Sequence, residues 1–232
     1  MPNDTSESWL KFLNPESLKG NLIRSSIYLT CWEMLKNSVM DHPRDFYTDG
    51  WNDGKVILDP KYKTEVLALD NDPLIASALW FKKLGAISDD DIILLSGFRS
   101  HRNEIAHELP KFLGTAESNV PHEFFNGMLC LVEKIDRWWI QDFELPLNPD
   151  FNGSELSKEE LDGVQSMNMI MMNLLIAVAD GKEDQLRWLY TEMKKILKPG
   201  KNQNRNKTIR DFRTIKKPRM RLQKIENRAV RV

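Results

Sequence analysis

The chain has 232 residues, 41% of them hydrophobic, enough for one sizeable core or one domain with an appendage. Cys31 and Cys130 have no paired spacing and no His-Glu-x-x-His run occurs, which argues against a zinc site. The formal charge of −1 hides an asymmetry: residues 198–232 hold thirteen Lys and Arg against two acids, +11, which leaves −12 for the rest.

The N-terminal residues, Met1 to Ser8, lack the basic and apolar regions of a signal peptide. The longest apolar run, near Met167 to Ala179, is broken by Asn168 and Asn173 and is too short to span a membrane. Cys31 and Cys130 read most simply as reduced core thiols, so the expectation is a soluble protein of a reducing cytoplasm. A first helix is expected from Pro15 or Glu16 to about Asn37, with Leu18, Leu22, Ile23, Ile27, Cys31, Met34 and Leu35 as its apolar stripe. Residues 41–59 read as a loop, in which Asn52-Asp53-Gly54 suits a tight turn or a short hairpin. Asp72-Pro73 opens the next helix, with Asp as cap and Pro in the first turn, and Gly85 ends it.

Ser88 then reads as the N-cap of a helix whose first turn holds Asp89, Asp90 and Asp91, where the helix dipole favours carboxylates. Ile92, Leu95, Phe98, Ile105 and Leu109 follow at helical spacing, and Pro110 is expected to end the run. Within it lies Arg102-Asn103-Glu104-Ile105-Ala106-His107. Asn103 and His107 are i and i+4 and share a face. Arg102 lies about 140 degrees round from His107, at about 100 degrees per residue, and reaches in from the flank. Arg carries a planar fork that fits two phosphate oxygens, and His titrates near neutrality. RNA supplies its own nucleophile, the 2′-hydroxyl. A base, an acid for the leaving 5′-oxygen and a cation on the phosphorane complete the requirement.

This stretch resembles the signature of the HEPN superfamily: an Arg, a polar residue directly after it, a few further residues, then a His. The resemblance covers the motif helix closely and residues 16–139 in general character. It implies a compact all-α bundle and a metal-independent endoribonuclease that cuts RNA by 2′-hydroxyl transesterification and leaves 2′,3′-cyclic phosphate ends. It implies a toxin or an anti-phage (abortive infection) effector, restrained by an antitoxin or regulatory protein. Arg102, Asn103 and His107 are the catalytic candidates, Arg99 and His101 possible accessories, and no metal or cofactor is expected. It also implies a homodimer through the motif helix, since one helix does not bring Arg102 and His107 onto one face.

Downstream, a helix opens around Asn119-Val120-Pro121 and carries Phe124, Phe125, Met128, Leu131, Val132, Ile135, Trp138 and Trp139. Residues 146–153 read as a linker, Ser157 to Glu160 as a capping box for a helix over 161–179, and Gly181 as its stop. Met167, Met169, Met171 and Met172 suit core or a dimer seam better than an adaptable binding surface. The Trp138-Trp139 pair could stack bases, though burial of at least one ring is the stronger expectation. A last amphipathic helix covers 183–197. Six or so helices without a sheet make a helical bundle over 1–198, followed by a basic tail over 199–232. Lys216, Lys217, Arg219 and Arg221 are its RNA-binding candidates. The acidic body, another protein or mere solubilisation are the competing uses of the tail. Two other function classes stay open: an inert HEPN-like module that binds nucleotide or protein, and an RNA-binding protein that acts through its tail alone.

Overall fold

A single residue, Asn14, separates helix α1 (Pro2–Leu13) from helix α2 (Pro15–Phe46), and its side chain caps α2 by accepting from the Glu16 and Ser17 N–H groups. The computed structural model describes residues 2–114, 120–147 and 163–197. It divides into two units, Met1–Lys182 and Glu183–Val232.

Helix α2 runs past Asn37, where the sequence pattern predicts its end, and continues through Pro43 to Phe46. Burial overrides the proline: Val39, Pro43 and Phe46 are all buried, and Phe46 meets Trp80 at a ring separation of 5.4 Å. The expected turn after it is a hairpin of β1 (Thr48–Asn52) and β2 (Lys55–Leu58), paired antiparallel. Asp53 and Gly54 take φ of 49° and 76°, the left-handed geometry that a two-residue hairpin turn requires. A short π-helical segment, Tyr62–Leu67, leads to α3 (Pro73–Lys83). Asp72 caps α3 through the Leu74 N–H, and Gly85 follows it at φ 79°.

Helix α4 (Asp89–His107) opens on a full capping box between Ser88 and Asp91. Pro110 does not end it. The helix stops at His107, and Pro110 sits in the first turn of α5 (Leu109–Gly114), where its missing N–H breaks no bond. Helix α6 (His122–Trp139) continues through a π-helical segment, Ile140–Glu144, into the short α7 (Leu145–Leu147). Helix α8 (Met167–Ala179) begins later than the 161 that the sequence suggests. Ser166 is the reason: its hydroxyl accepts from the Met169 N–H and donates to the buried Asp136 at 2.5 Å, which fixes the helix start. The expected capping box at Ser157 and the rest of the linker beyond Leu147 lie outside the described residues. In the second unit, α9 (Asp184–Leu197) is described.

Apart from the hairpin, the described chain is all-α, as the pattern predicts. Helix α2 is the hub and packs against α1, α3, α4, α5, α6 and α8. Tyr28 and Leu35 of α2, Phe81 of α3, Leu95, Phe98 and Ile105 of α4, and Phe125, Met128, Leu131 and Ile135 of α6 are all fully buried and make up the core. Each such side chain contributes about 1.5–3 kcal/mol relative to exposure. Met169 and Met172 join that core, whereas Met167 and Met171 are exposed. Trp139 is buried and stacks on His42 at 4.5 Å, and Trp138 lies edge-on to Phe81. No described helix is long and apolar enough to cross a membrane.

Candidate functional site

Helix α4 carries the motif and is fixed from three sides. At its start, burial pushes the Asp91 carboxyl up, but Lys134 of α6 at 2.6 Å and Ser88 outweigh this and hold it below its ordinary range. In its middle, Phe98 presses on α6 so closely that a Cβ built at Gly127 would lie 2.7 Å from the Phe98 ring. From α2, the Tyr28 hydroxyl donates to the Phe98 carbonyl at 3.0 Å. The residues that follow Phe98 are therefore carried on an anchored turn.

Arg102, Asn103 and His107 divide as their helical angles dictate. Asn103 and His107 are exposed and one turn apart. Arg102 is partly covered, with 34% of its side chain exposed, and lies against α2. Its Nη1 donates to Asn103 Oδ1 at 3.3 Å and its Nη2 reaches Glu33 Oε1 at 3.5 Å. Its Nε is buried and has no hydrogen-bond partner among the described residues. Arg102 and Asn103 are thus brought together, while His107 stands one turn on along the open face.

The two accessory candidates are placed differently. Arg99 pairs with Asp72, the cap of α3, and holds that carboxyl below its ordinary range. It ties α4 to α3. His101 turns inward, with 12% of its side chain exposed, and its ring meets Tyr28, Phe112 and Phe124 edge-on at 5.0, 5.6 and 4.9 Å. Burial lowers its pKa, with Glu104 at 3.6 Å opposing the shift, and its buried Nε2 has no partner among the described residues. Lys111 of α5 bonds Glu104 at 3.0 Å and Glu108 at 3.2 Å, and holds Glu104 below its ordinary range. Among the described residues no group of three or more His, Cys, Asp and Glu could hold a metal. Lys216, Lys217, Arg219 and Arg221 lie outside the described residues.

One feature of α4 escapes a motif search. Ile93, Ser96, Ser100, Asn103 and His107 are all exposed, and they recur at alternating steps of three and four. That is the spacing of a helix–helix seam. Ile93 is 68% exposed, Leu94 beside it is exposed, and Gly97 between them and the motif has nothing within 4 Å of a Cβ built on it. An exposed glycine inside a helix costs about 0.5–1 kcal/mol relative to alanine. Among the described residues no neighbour requires it, in contrast to Gly127. The three-four spacing upstream of Asn103 is visible in the sequence; the exposure of every member is not. Glu33 gives no sequence signal, because its place beside Arg102 follows from the packing of α2 on α4.

Comparison with known proteins finds no match to the chain among protein-family models, among curated proteins or among solved structures.

Proposed function

We propose that the chain is a metal-independent endoribonuclease of HEPN type, active as a homodimer through α4, and a toxin or anti-phage effector. One observation carries the reading. Asn103 and His107 sit on the open face of α4 with Arg102 hydrogen-bonded to Asn103 at their flank. This is the juxtaposition that phosphodiester cleavage asks of these residue types. Two α4 helices meeting along Ile93, Ser96, Ser100 and Asn103 would approach closely, because the seam residues past Ile93 are small or short and Gly97 lies beside them. Each partner would then bring one Arg102-Asn103-His107 set to a shared groove.

In that groove His107 is the proton-transfer group for the 2′-hydroxyl or the leaving 5′-oxygen. Arg102 holds the non-bridging oxygens of the phosphate as charge builds on them, and Asn103 aims Arg102. The cutting chemistry belongs to α4, and the basic tail adds affinity for the RNA backbone. The test is RNA cleavage by the purified full chain in excess chelator, with the product ends analysed. A chain that binds RNA and leaves it whole would instead be the RNA-binding protein that acts through its tail.

A further inference from the structure

Beyond the motif helix, Glu33 and Lys36 of α2 stand at its flank. Lys36 pairs with Glu33 Oε2, one turn away, while Arg102 reaches the other oxygen, Oε1. One carboxylate therefore serves two cations that belong to different helices. Among the described residues the guanidinium is poorly satisfied: its two hydrogen bonds are 3.3 and 3.5 Å long, and Nε has no partner. Charge-assisted bonds of arginine are ordinarily about 2.7–2.9 Å. With Glu33 counted, the cluster of Lys36, Glu33 and Arg102 keeps a charge of +1.

We propose that Lys36 and Arg102 form a two-cation site for one phosphodiester of single-stranded RNA, and that Glu33 occupies that site until RNA displaces it. This rests on the ribonuclease reading for its substrate. A carboxylate and a phosphodiester present the same feature to a cation pair, two oxygens sharing one negative charge. A phosphodiester bridging Lys36 and Arg102 in place of Glu33 would bring the same single negative charge to the two cations. It would also give the arginine fork shorter bonds than the carboxylate now offers. Glu33 keeps the two cations close in the free protein, where they would otherwise repel, and competes with the substrate for them. Lys36 is then a phosphate-binding residue supplied by α2, and α2 and α4 form the walls of the site.

The test uses the full chain and an uncleavable 2′-O-methyl oligoribonucleotide, with affinity measured over a range of salt. Lys36→Gln is expected to weaken binding about fivefold, the scale of one partly exposed charge contact. It should also flatten the log–log salt slope by about 0.7, the value for one phosphate contact on a single strand. Glu33→Gln is expected to bind about fivefold more tightly, because the competing charge is gone while the shape is kept. Thermal melts of both variants check that the half-exposed positions leave the fold intact. Lys36→Gln with unchanged affinity and slope, or Glu33→Gln that binds no more tightly, overturns the proposal. The probe is not cut, so the two readings separate. If natural RNA stays whole but both shifts appear, the phosphate site stands and the nuclease reading falls. If RNA is cut with a kcat/KM indifferent to both substitutions, the reverse holds.

Discussion

The Tyr28 hydroxyl of α2 donates to the Phe98 carbonyl of α4 at 3.0 Å, one turn before Arg102. Both residues are buried, so the bond fixes the register of the motif helix on the hub helix in a place that water does not reach. Tyr28→Phe keeps the ring and removes the donor. The expected loss is about 1 kcal/mol of stability, the usual worth of one such bond. Urea denaturation measures it, and a loss near zero would show that the contact does not hold α4.

Gly127 and Gly97 are both helical glycines with opposite expectations. A methyl at Gly127 meets the Phe98 ring, so Gly127→Ala should destabilise the fold by about 1–3 kcal/mol through overpacking. A methyl at Gly97 meets nothing among the described residues, so Gly97→Ala should stabilise the isolated chain by about 0.5–1 kcal/mol. Denaturation at concentrations below those at which the proposed dimer would form reads both.

Ile93 lies on the open face of α4 and is 68% exposed, so Ile93→Glu should leave the folded monomer intact. In the proposed dimer it introduces two like charges at the seam. Sedimentation is expected to show a shift from dimer to monomer, with cleavage lost in parallel. A wild-type chain that is a strict monomer at micromolar concentration, with cleavage intact, contradicts the dimer.

His101 gives a pH dependence whose sign is fixed. Burial lowers its pKa in the folded state, so the unfolded chain binds the proton more readily. Stability should therefore fall as pH drops below the ordinary histidine value of about 6.5 and level off beneath the lowered folded value. Urea midpoints across that window should show the fall, and His101→Phe should shrink it. An unchanged pH profile in that variant assigns the effect to other groups.

A chain ending at Leu197 loses the +11 segment. It is expected to cleave at high enzyme concentration, yet to bind RNA more weakly and with a flatter salt slope. Unchanged affinity and slope would assign the tail to another partner.

The parts of this structure that are legible in the sequence are those set by neighbours along the chain. Asp72, Ser88, Gly85 and the Asp53-Gly54 turn announce themselves because caps and turns are made within three or four residues. The end of α2 and the start of α8 do not, because burial overrules Pro43 and a bond to Asp136, thirty residues away, fixes Ser166 as the cap. The site divides in the same way. Helical angles alone place Asn103 with His107 and set Arg102 aside. They cannot tell that Arg99 belongs to Asp72, that His101 turns inward onto three aromatic rings, or that Glu33 and Lys36 stand beside the motif.

In the proposed reaction His107 transfers a proton during RNA cleavage, and the direct measurement is the single-turnover cleavage rate of the full chain and of His107→Ala in excess chelator. His107 is exposed on α4, so its removal should leave the melting temperature unchanged. The wild-type chain is expected to cut RNA and leave 2′,3′-cyclic phosphate ends. His107→Ala is expected to be slower by about a hundredfold to ten-thousandfold, the range for losing a positioned acid or base. A His107→Ala protein that cuts at the wild-type rate, or a wild-type chain that leaves RNA whole, contradicts the account.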